Sequence, residues 1–286
     1  MKKILVTGST GYIGTHLCAE LIKKGYDVTG LDTKFPESPE FTEFLKSQKN
    51  PKFSFLAQNI NQPMDIKDEF DTVIHLAALV RVNESKQVPI GYYITNVNGT
   101  MNTFSRIQSK NFIFASTGCA EHCADPYGIS KKAAEDCVIE YFTQHKPGPY
   151  SIFRFYNVIG TGGFAPTNPD GLMFNLLNAV ETKEFTICGN DYDTPDGTCL
   201  RDYVHVMEIV EALIEAIDNP ANGIESLGHG VGRSVKEIAE MFKEVNNVDF
   251  EIKYGPRREG DLPVNVLEGT SSYMKDLYPL EVLLKI

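Results

Sequence analysis

The sequence predicts an α/β chain, with a doubly wound parallel sheet followed by a smaller C-terminal α/β part. Three observations predict it. Short apolar runs that read as buried strands alternate with helical patterns through the first half. The first such run passes into a glycine-spaced turn that opens a helix. From about Val158 the texture changes to polar, glycine-containing and Pro/Asn-rich loops between shorter elements.

Lys2–Thr7 reads KKILVT, a short apolar strand. Gly8, Gly11 and Gly14 follow, and Ile13, Leu17, Leu21 and Ile22 then fall on one helical face until Gly25. Tyr26–Leu31 is a second strand closed by Asp32. Lys34–Lys52 is polar and contains Pro, which predicts a loop with a short helix. Phe53–Leu56, Thr72–Ala77, Asn111–Ser116 and Tyr150–Phe155 read as further buried strands, with helices over Tyr92–Ile107 and Tyr127–His145. Beyond Val158, helical patterns span Leu172–Thr182, Val204–Asp218 and Val235–Val245, with short strands and loops at Gly160–Gly163, Pro166–Gly171 and Gly189–Thr198. The expected division is 1–157 and 158–286, with the helix near 204–218 packing back on the first part.

A chain of 286 residues makes one large or two modest domains. Its 42% hydrophobic and 23% charged residues are those of an ordinary globular protein. The formal charge of −11 argues against general nucleic-acid binding, and any anion site must supply its own Arg or Lys. No apolar run reaches spanning length, so no membrane partner is expected. Met1 meets a strand almost at once, leaving no room for a signal peptide. Six scattered cysteines read as reduced thiols, and the expected location is cytoplasmic. Cys119, His122 and Cys123 offer three candidate ligands in one loop where structural zinc takes four, so no metal is expected.

Gly8-x-x-Gly11-x-x-Gly14 sits between a strand and a helix and precedes an acid at the next strand's end. Glycines let the backbone lie against a pyrophosphate at a helix N-terminus, and Asp32 can accept both adenosine-ribose hydroxyls while repelling a 2′-phosphate. This predicts a Rossmann-type nucleotide site for NAD. Tyr127 and Lys131 lie one helical turn apart, and a nearby Lys⁺ lowers a tyrosine pKa toward use as a general base. Most such pairs on a helix are a buried ring and a solvated charge. The glycine loop and the Ser116-Thr117 strand end lift this one above that reading.

Together with His75-Leu-Ala-Ala78 and Asn96-Val-Asn-Gly-Thr100, these features resemble the extended short-chain dehydrogenase/reductase family. Gly189–Thr198, Arg201-Asp-Tyr-Val-His-Val206 and Arg257-Arg-Glu-Gly-Asp-Leu-Pro263 look like the UDP-glucose (UDP-galactose) 4-epimerases within it. The resemblance implies oxidation at sugar C4 with NAD, rotation of the 4-keto sugar and re-reduction. It implies a catalytic set of Thr117, Tyr127 and Lys131. It implies cofactor contacts from Gly8, Gly11, Tyr12, Ile13, Gly14, Asp32, Asn59, Ile60, Leu76, Ala77, Ala78, Asn96, Ser116, Tyr127, Lys131 and Tyr156. Arg201 and Arg258 would hold the UDP-sugar diphosphate, Asp261 the uridine ribose and Asn157 a phosphate or sugar hydroxyl. Leu172 and Phe185 would border the uracil, and Thr117 would bond the sugar 4-oxygen. The family's usual homodimer would pair Tyr92–Ile107 and Tyr127–His145 in a four-helix bundle.

Several positions depart from the family pattern. The stretch from Thr117 to Tyr127 is short, which implies a more open sugar pocket. Val80 stands in place of a cofactor-contacting lysine, with Arg81 beside it. Asn59 replaces an aspartate, and Thr95 and Gly171 each replace an asparagine. Asn265 occupies the position that limits sugar size, and its small side chain implies that N-acetylated UDP-sugars are accepted. A 4,6-dehydratase would need an acid pair after Thr117, where Gly118 and Cys119 stand. A glucuronate-specific relative would need an extra cation for its carboxylate, and none is evident. A degenerate protein that binds NAD or UDP-sugar without turnover remains a third reading.

Overall fold

The computed structural model describes residues 1–35, 38–49, 51–274 and 278–286. Two compact units emerge, Met1–Arg154 with Val210–Glu225, and Phe155–Ile209 with Ser226–Ile286.

The first unit begins with β1 (Lys3–Thr7), α1 (Tyr12–Lys23), β2 (Asp27–Asp32), α2 (Pro39–Ser47), β3 (Phe53–Ala57) and β4 (Glu69–His75). α3 (Val82–Gln87) and α4 (Pro89–Tyr92) follow, and a π-helical turn over Tyr93–Asn98 leads into α5 (Gly99–Arg106). β5 (Gln108–Thr117), α6 (Cys119–His122), α7 (Pro126–Glu140) with a second π turn at Tyr141–His145, and β6 (Tyr150–Phe155) complete the run. The second unit holds β7 (Asn157–Ile159), α8 (Leu172–Thr182), β8 (Glu184–Cys188) and β9 (Leu200–His205). α9 (Val206–Glu215) starts in the second unit and runs into the first, and β10 (Gly223–Leu227) straddles their boundary. β11 (Gly232–Ser234), α10 (Val235–Asn246), β12 (Glu251–Gly255), β13 (Val264–Asn265) and α11 (Leu280–Leu283) close the chain.

Seven strands form one sheet in the order β10-β6-β5-β4-β1-β2-β3. β1 pairs in parallel with both β2 and β4, so the strand order reverses direction there. Ligands of open α/β sheets bind at the carboxyl ends of strands at such a switch point. Register puts Thr7 opposite both Leu31 and His75, which levels the three strand ends. The core beneath them is apolar, with Leu5, Leu31, Val73, Phe112 and Phe114 all buried.

The expected helix over Tyr92–Ile107 is helical throughout, but its middle is widened into the π turn. That extra residue lets the buried Asn96 amide reach sideways to Leu79 and Ser130, and π turns of this kind often mark functional sites. α7 starts where sequence chemistry puts it, because the Asp125 carboxylate caps Gly128 N at 2.9 Å and Pro126 fills the first turn.

In the second unit β9 is central, pairing β11 antiparallel and β13 and β7 in parallel. α10 is fixed by a reciprocal Ser234/Glu237 capping box. A second core gathers Leu176, Phe185, Tyr203, Phe242 and Phe250. Among the described residues, no helix is long and apolar enough to cross a membrane.

Candidate active site

The loop after β1 is shaped for a close approach. Gly8 has φ +70, and a Cβ there would lie 2.7 Å from Ala77 N. A Cβ on Gly14 would lie 2.1 Å from Gly8 O, so the first turn of α1 rests directly on the loop. Gly11 is the α1 N-cap and has no side chain to cap the turn, while Tyr12 and Ile13 begin the helix. The first-turn N–H groups are therefore served by main chain or by a ligand, and the dipole favours an anion there. Asp32 ends β2, its Oδ2 accepting from Thr10 N at 3.1 Å and its Oδ1 from Thr33 N at 2.7 Å. The carboxylate is thereby fixed against the glycine loop. The Ser9 hydroxyl is buried without a hydrogen-bond partner. A Cβ-free cradle, a helix N-terminus without a side-chain cap and a fixed acid fit a dinucleotide.

The Leu76-Ala77-Ala78 segment is held by a relay sequence reasoning did not foresee. Ala77 N donates to Thr7 Oγ1 at 3.2 Å, which lies 2.7 Å from His75 Nδ1. His75 Nε2 lies 3.0 Å from Thr100 Oγ1, which donates to Asn96 O. This chain of donors assigns the proton to Nε2 of a neutral ring. Burial, with a smaller push from Lys131, lowers the His75 pKa to about 3.

Several expected cofactor contacts are committed within the protein. Asn96 Oδ1 accepts from Leu79 N, and Nδ2 donates to Leu79 O and Ser130 Oγ at 3.0 and 2.9 Å. It shapes the segment after β4 and ties it to α7. Ser116 Oγ donates to Glu135 Oε1 at 2.5 Å, so its hydroxyl also points into the protein. Asn59 Oδ1 accepts from Asn61 N in a local turn, and the Ile60 side chain sits in the core. Arg81, expected to cover for Val80, has Nη1 3.9 Å from Glu84 Oε1.

Thr117, Tyr127 and Lys131 come together. The Thr117 hydroxyl lies close enough to the Tyr127 phenol to act on its protonation, and it accepts from Cys119 N at 3.3 Å. The Tyr127 ring packs edge-on to Tyr92 with centroids 6.3 Å apart. Lys131 Nζ lies 4.1 Å above the Phe114 ring and is almost wholly buried. The electrostatics correct one expectation. Burial pushes the Tyr127 phenol above its ordinary value, with Cys119 adding to the rise and the Thr117 hydroxyl opposing it. Lys131 does not bring it down, because burial also lowers the ammonium's own pKa, to about 7, against the opposing pull of Glu135. Without cofactor the phenol is protonated at neutral pH.

In the second unit, register sets Asn265 beside Arg201 across β13 and β9, and Asn157 beside Tyr203 across β7 and β9. Arg201 Nη1 donates to Leu200 O and Leu262 O, both at 2.9 Å, and Nη2 lies 3.8 Å from Asp261 Oδ1. Arg258 Nη1 reaches Asp170 O at 3.4 Å. Its neighbour Arg257 diverges to Asp191 and stacks 4.4 Å over the Tyr192 ring. Asn157 Nδ2 and Asn265 Oδ1 are buried with no hydrogen-bond partner. The unmet Asn157 Nδ2 donor, with the Arg201 and Arg258 guanidinium groups in the same unit, suits a polar, anionic ligand, and the unmet Asn265 Oδ1 suits a hydroxyl or N–H donor. Leu172 opens α8. Phe185, expected to border a base, is in the core against Phe250, with ring centroids 6.0 Å apart. Tyr156 is buried, and its N–H donates to Leu227 O at 3.4 Å.

Two charged residues that carry much of this geometry, Glu135 and Arg154, escaped the sequence reading. The available signal was an arginine inside an otherwise apolar strand, which demands a buried counter-charge.

Comparison with known proteins agrees with the geometry. Residues 4–228 match the NAD dependent epimerase/dehydratase family. A UDP-glucose 4-epimerase of Haemophilus influenzae is 32% identical over 294 residues, covering 91% of this chain and 87% of the relative. The structure of a UDP-glucose 4-epimerase from Bifidobacterium longum in complex with NAD⁺ and UDP aligns with a TM-score of 0.88 at 26% identity, covering 99% of this chain and 96% of that one. The UDP-Glc/GlcNAc 4-epimerase of Campylobacter jejuni aligns with a TM-score of 0.79 at 28% identity, covering 99% and 97%. On its matched residues, its switch-point glycine loop and its parallel sheet, the chain belongs to the NAD dependent epimerase/dehydratase family, with NAD as its cofactor.

Proposed function

We propose that the protein interconverts UDP-glucose and UDP-galactose, and the corresponding N-acetylated pair, by epimerisation at C4. The observation that carries the reading is the buried Tyr127 phenol beside the Thr117 hydroxyl, with Lys131 one turn along α7. Bound NAD supplies the hydride acceptor and donor. Tyr127 Oη takes the proton of the sugar 4-hydroxyl and returns it after the hydride comes back. The Thr117 hydroxyl bonds the 4-oxygen, and the Lys131 ammonium favours the phenolate once a cofactor orders it. The Gly8–Gly14 loop holds the pyrophosphate and Asp32 the adenosine ribose. In the second unit Arg201 and Arg258 would hold the substrate diphosphate and Asp261 the uridine ribose. The unmet Asn157 Nδ2 would take a phosphate or sugar hydroxyl, and Leu172 would border the base. A dehydratase reading lacks its acid pair, since Gly118 and Cys119 follow Thr117.

Purified protein is expected to carry NAD and to convert UDP-galactose to UDP-glucose in a coupled dehydrogenase assay. Absence of turnover with NAD bound would favour a degenerate binding protein instead. The small Asn265 side chain supports the N-acetyl range. Asn265→Tyr should leave UDP-galactose turnover within about threefold and cut UDP-GlcNAc turnover by roughly tenfold or more. If the native protein ignores UDP-GlcNAc while turning over UDP-glucose, the wider range is wrong.

The same reading includes a homodimer. Ile90 (67% exposed), Ile94 (48%) and Met101 (36%) on the run from α4 to α5, with Ile129 (40%) on α7, leave apolar side chains in water. Light scattering should give twice the 31.9 kDa chain mass, and Ile94→Glu should shift it to monomer. A monomeric native protein at micromolar concentration would refute this.

A further inference from the structure

We propose that the buried Glu135–Arg154 ion pair is a positioning device for the catalytic group. It locks the Ser116-Thr117 strand end and the α6 segment to α7, so that Thr117, Tyr127 and Lys131 keep their mutual geometry. This rests on the catalytic assignment above.

The pair is bidentate, with Arg154 Nε donating to Glu135 Oε1 at 2.9 Å and Nη2 to Oε2 at 2.7 Å. Glu135 is fully buried, and the Arg154 side chain is only 14% exposed. Two further groups complete it. Ser116 Oγ donates to Glu135 Oε1 at 2.5 Å, and Arg154 Nη1 bonds Glu121 Oε1 at 3.2 Å. Four segments therefore meet at one pair, the C-terminal end of β5, α6, α7 and β6. Each of the first three adjoins or carries a catalytic residue. Ser116 precedes Thr117, Glu121 lies in the short link to Tyr127, and Glu135 is one turn beyond Lys131 on α7.

Energetics point to geometry as the purpose. Desolvating two charges offsets most of their attraction, and replacing both by apolar groups is often neutral. A buried pair is thus a poor source of stability but a stiff, directional tie. The link from Thr117 to Tyr127 has little regular structure besides the four residues of α6, so it gains most from such a tie. Arg154 also occupies the Glu135 carboxylate. Without the guanidinium, that buried carboxylate would be left to Lys131, whose ammonium it already attracts from one turn away on α7, drawing it from its place over Phe114.

The test compares the native full chain with Glu135→Gln, Arg154→Met and the double variant. NAD affinity and UDP affinity are read by calorimetry, C4 epimerisation by kcat and KM, and folding by thermal midpoint. The double variant leaves no unpaired buried charge and should melt near the native protein. Its kcat should nevertheless fall roughly tenfold or more while UDP affinity stays within about twofold, because only positioning is lost. Arg154→Met should be worse still, with NAD binding weakened about fivefold or more, and should improve when Glu135→Gln is added. A double variant with kcat within about threefold of native overturns the proposal, as do losses that follow UDP affinity and melting in parallel. Should the double variant not fold, Glu135→Gln alone decides by the same split, since it keeps the shape of the site. A native protein that binds NAD but turns over no UDP-sugar refutes the catalytic reading instead. The NAD affinities of the variants then still decide whether the pair positions Lys131.

Discussion

Tyr127→Phe should reduce C4 epimerisation by roughly 10²–10⁴-fold, the range that a positioned general acid–base supplies. KM for the UDP-sugar and bound NAD should change little, because the ring keeps its edge-on contact with Tyr92 and only the oxygen is removed. The structure sharpens why the loss should be large. Burial holds the phenol well above its ordinary pKa, so the unliganded protein has no phenolate to offer at neutral pH. On the proposed role of Tyr127, the phenolate forms only when positive charge is ordered beside it. Turnover should accordingly rise with pH through the range where the loaded enzyme loses that proton, and this rising limb should vanish in the Phe variant. A Phe variant within a few-fold of native turnover would remove Tyr127 from the proton path.

The contrast between Tyr127 and Glu135 shows what the sequence could carry. The strand, glycine loop, helix, strand, acid unit from Lys2 to Asp32 was legible because each step obeys a local rule, apolar run, φ > 0 turn and period-3.6 face. The spacing of Tyr127 and Lys131 was legible for the same reason. What spacing cannot show is the dielectric around a group. Only packing against Phe114 and Tyr92 reveals that burial raises the phenol and lowers the ammonium. Nor does spacing show which neighbours have already claimed a polar side chain. Asn96 and Ser116 have the right chemistry for a cofactor, yet their hydrogen bonds go to Leu79, Ser130 and Glu135. Phe185 alternates correctly on β8 but faces Phe250 and the core. The π turn at Tyr93–Asn98 was invisible, because its extra residue answers the needs of Asn96 rather than any propensity of its own.

Lys131→Met is expected to move stability and function in opposite directions. In the native fold burial lowers the ammonium's pKa from 10.5 to about 7. A group with a depressed folded pKa contributes stability above its unfolded value, and that contribution is lost as pH falls to the folded one. For Lys131 the window runs from 10.5 down to about 7, so near pH 7 the cofactor-free protein bears nearly the whole cost of a buried charge. That cost is on the order of a few kcal/mol, reduced by the Phe114 ring face and the Glu135 carboxylate. Met fills a similar apolar volume without charge. NAD-free Lys131→Met should therefore melt several degrees above native NAD-free protein at pH 7, and the gap should shrink toward pH 10 as native Lys131 becomes neutral. Turnover should fall by roughly 10²-fold or more, since nothing remains to hold the phenolate. Thermal melts of both proteins at pH 7 and pH 10, without and with NAD, read the result directly. A variant that melts below native at pH 7, or a gap that widens with pH, would mean that Lys131 is held for stability and not kept charged against it.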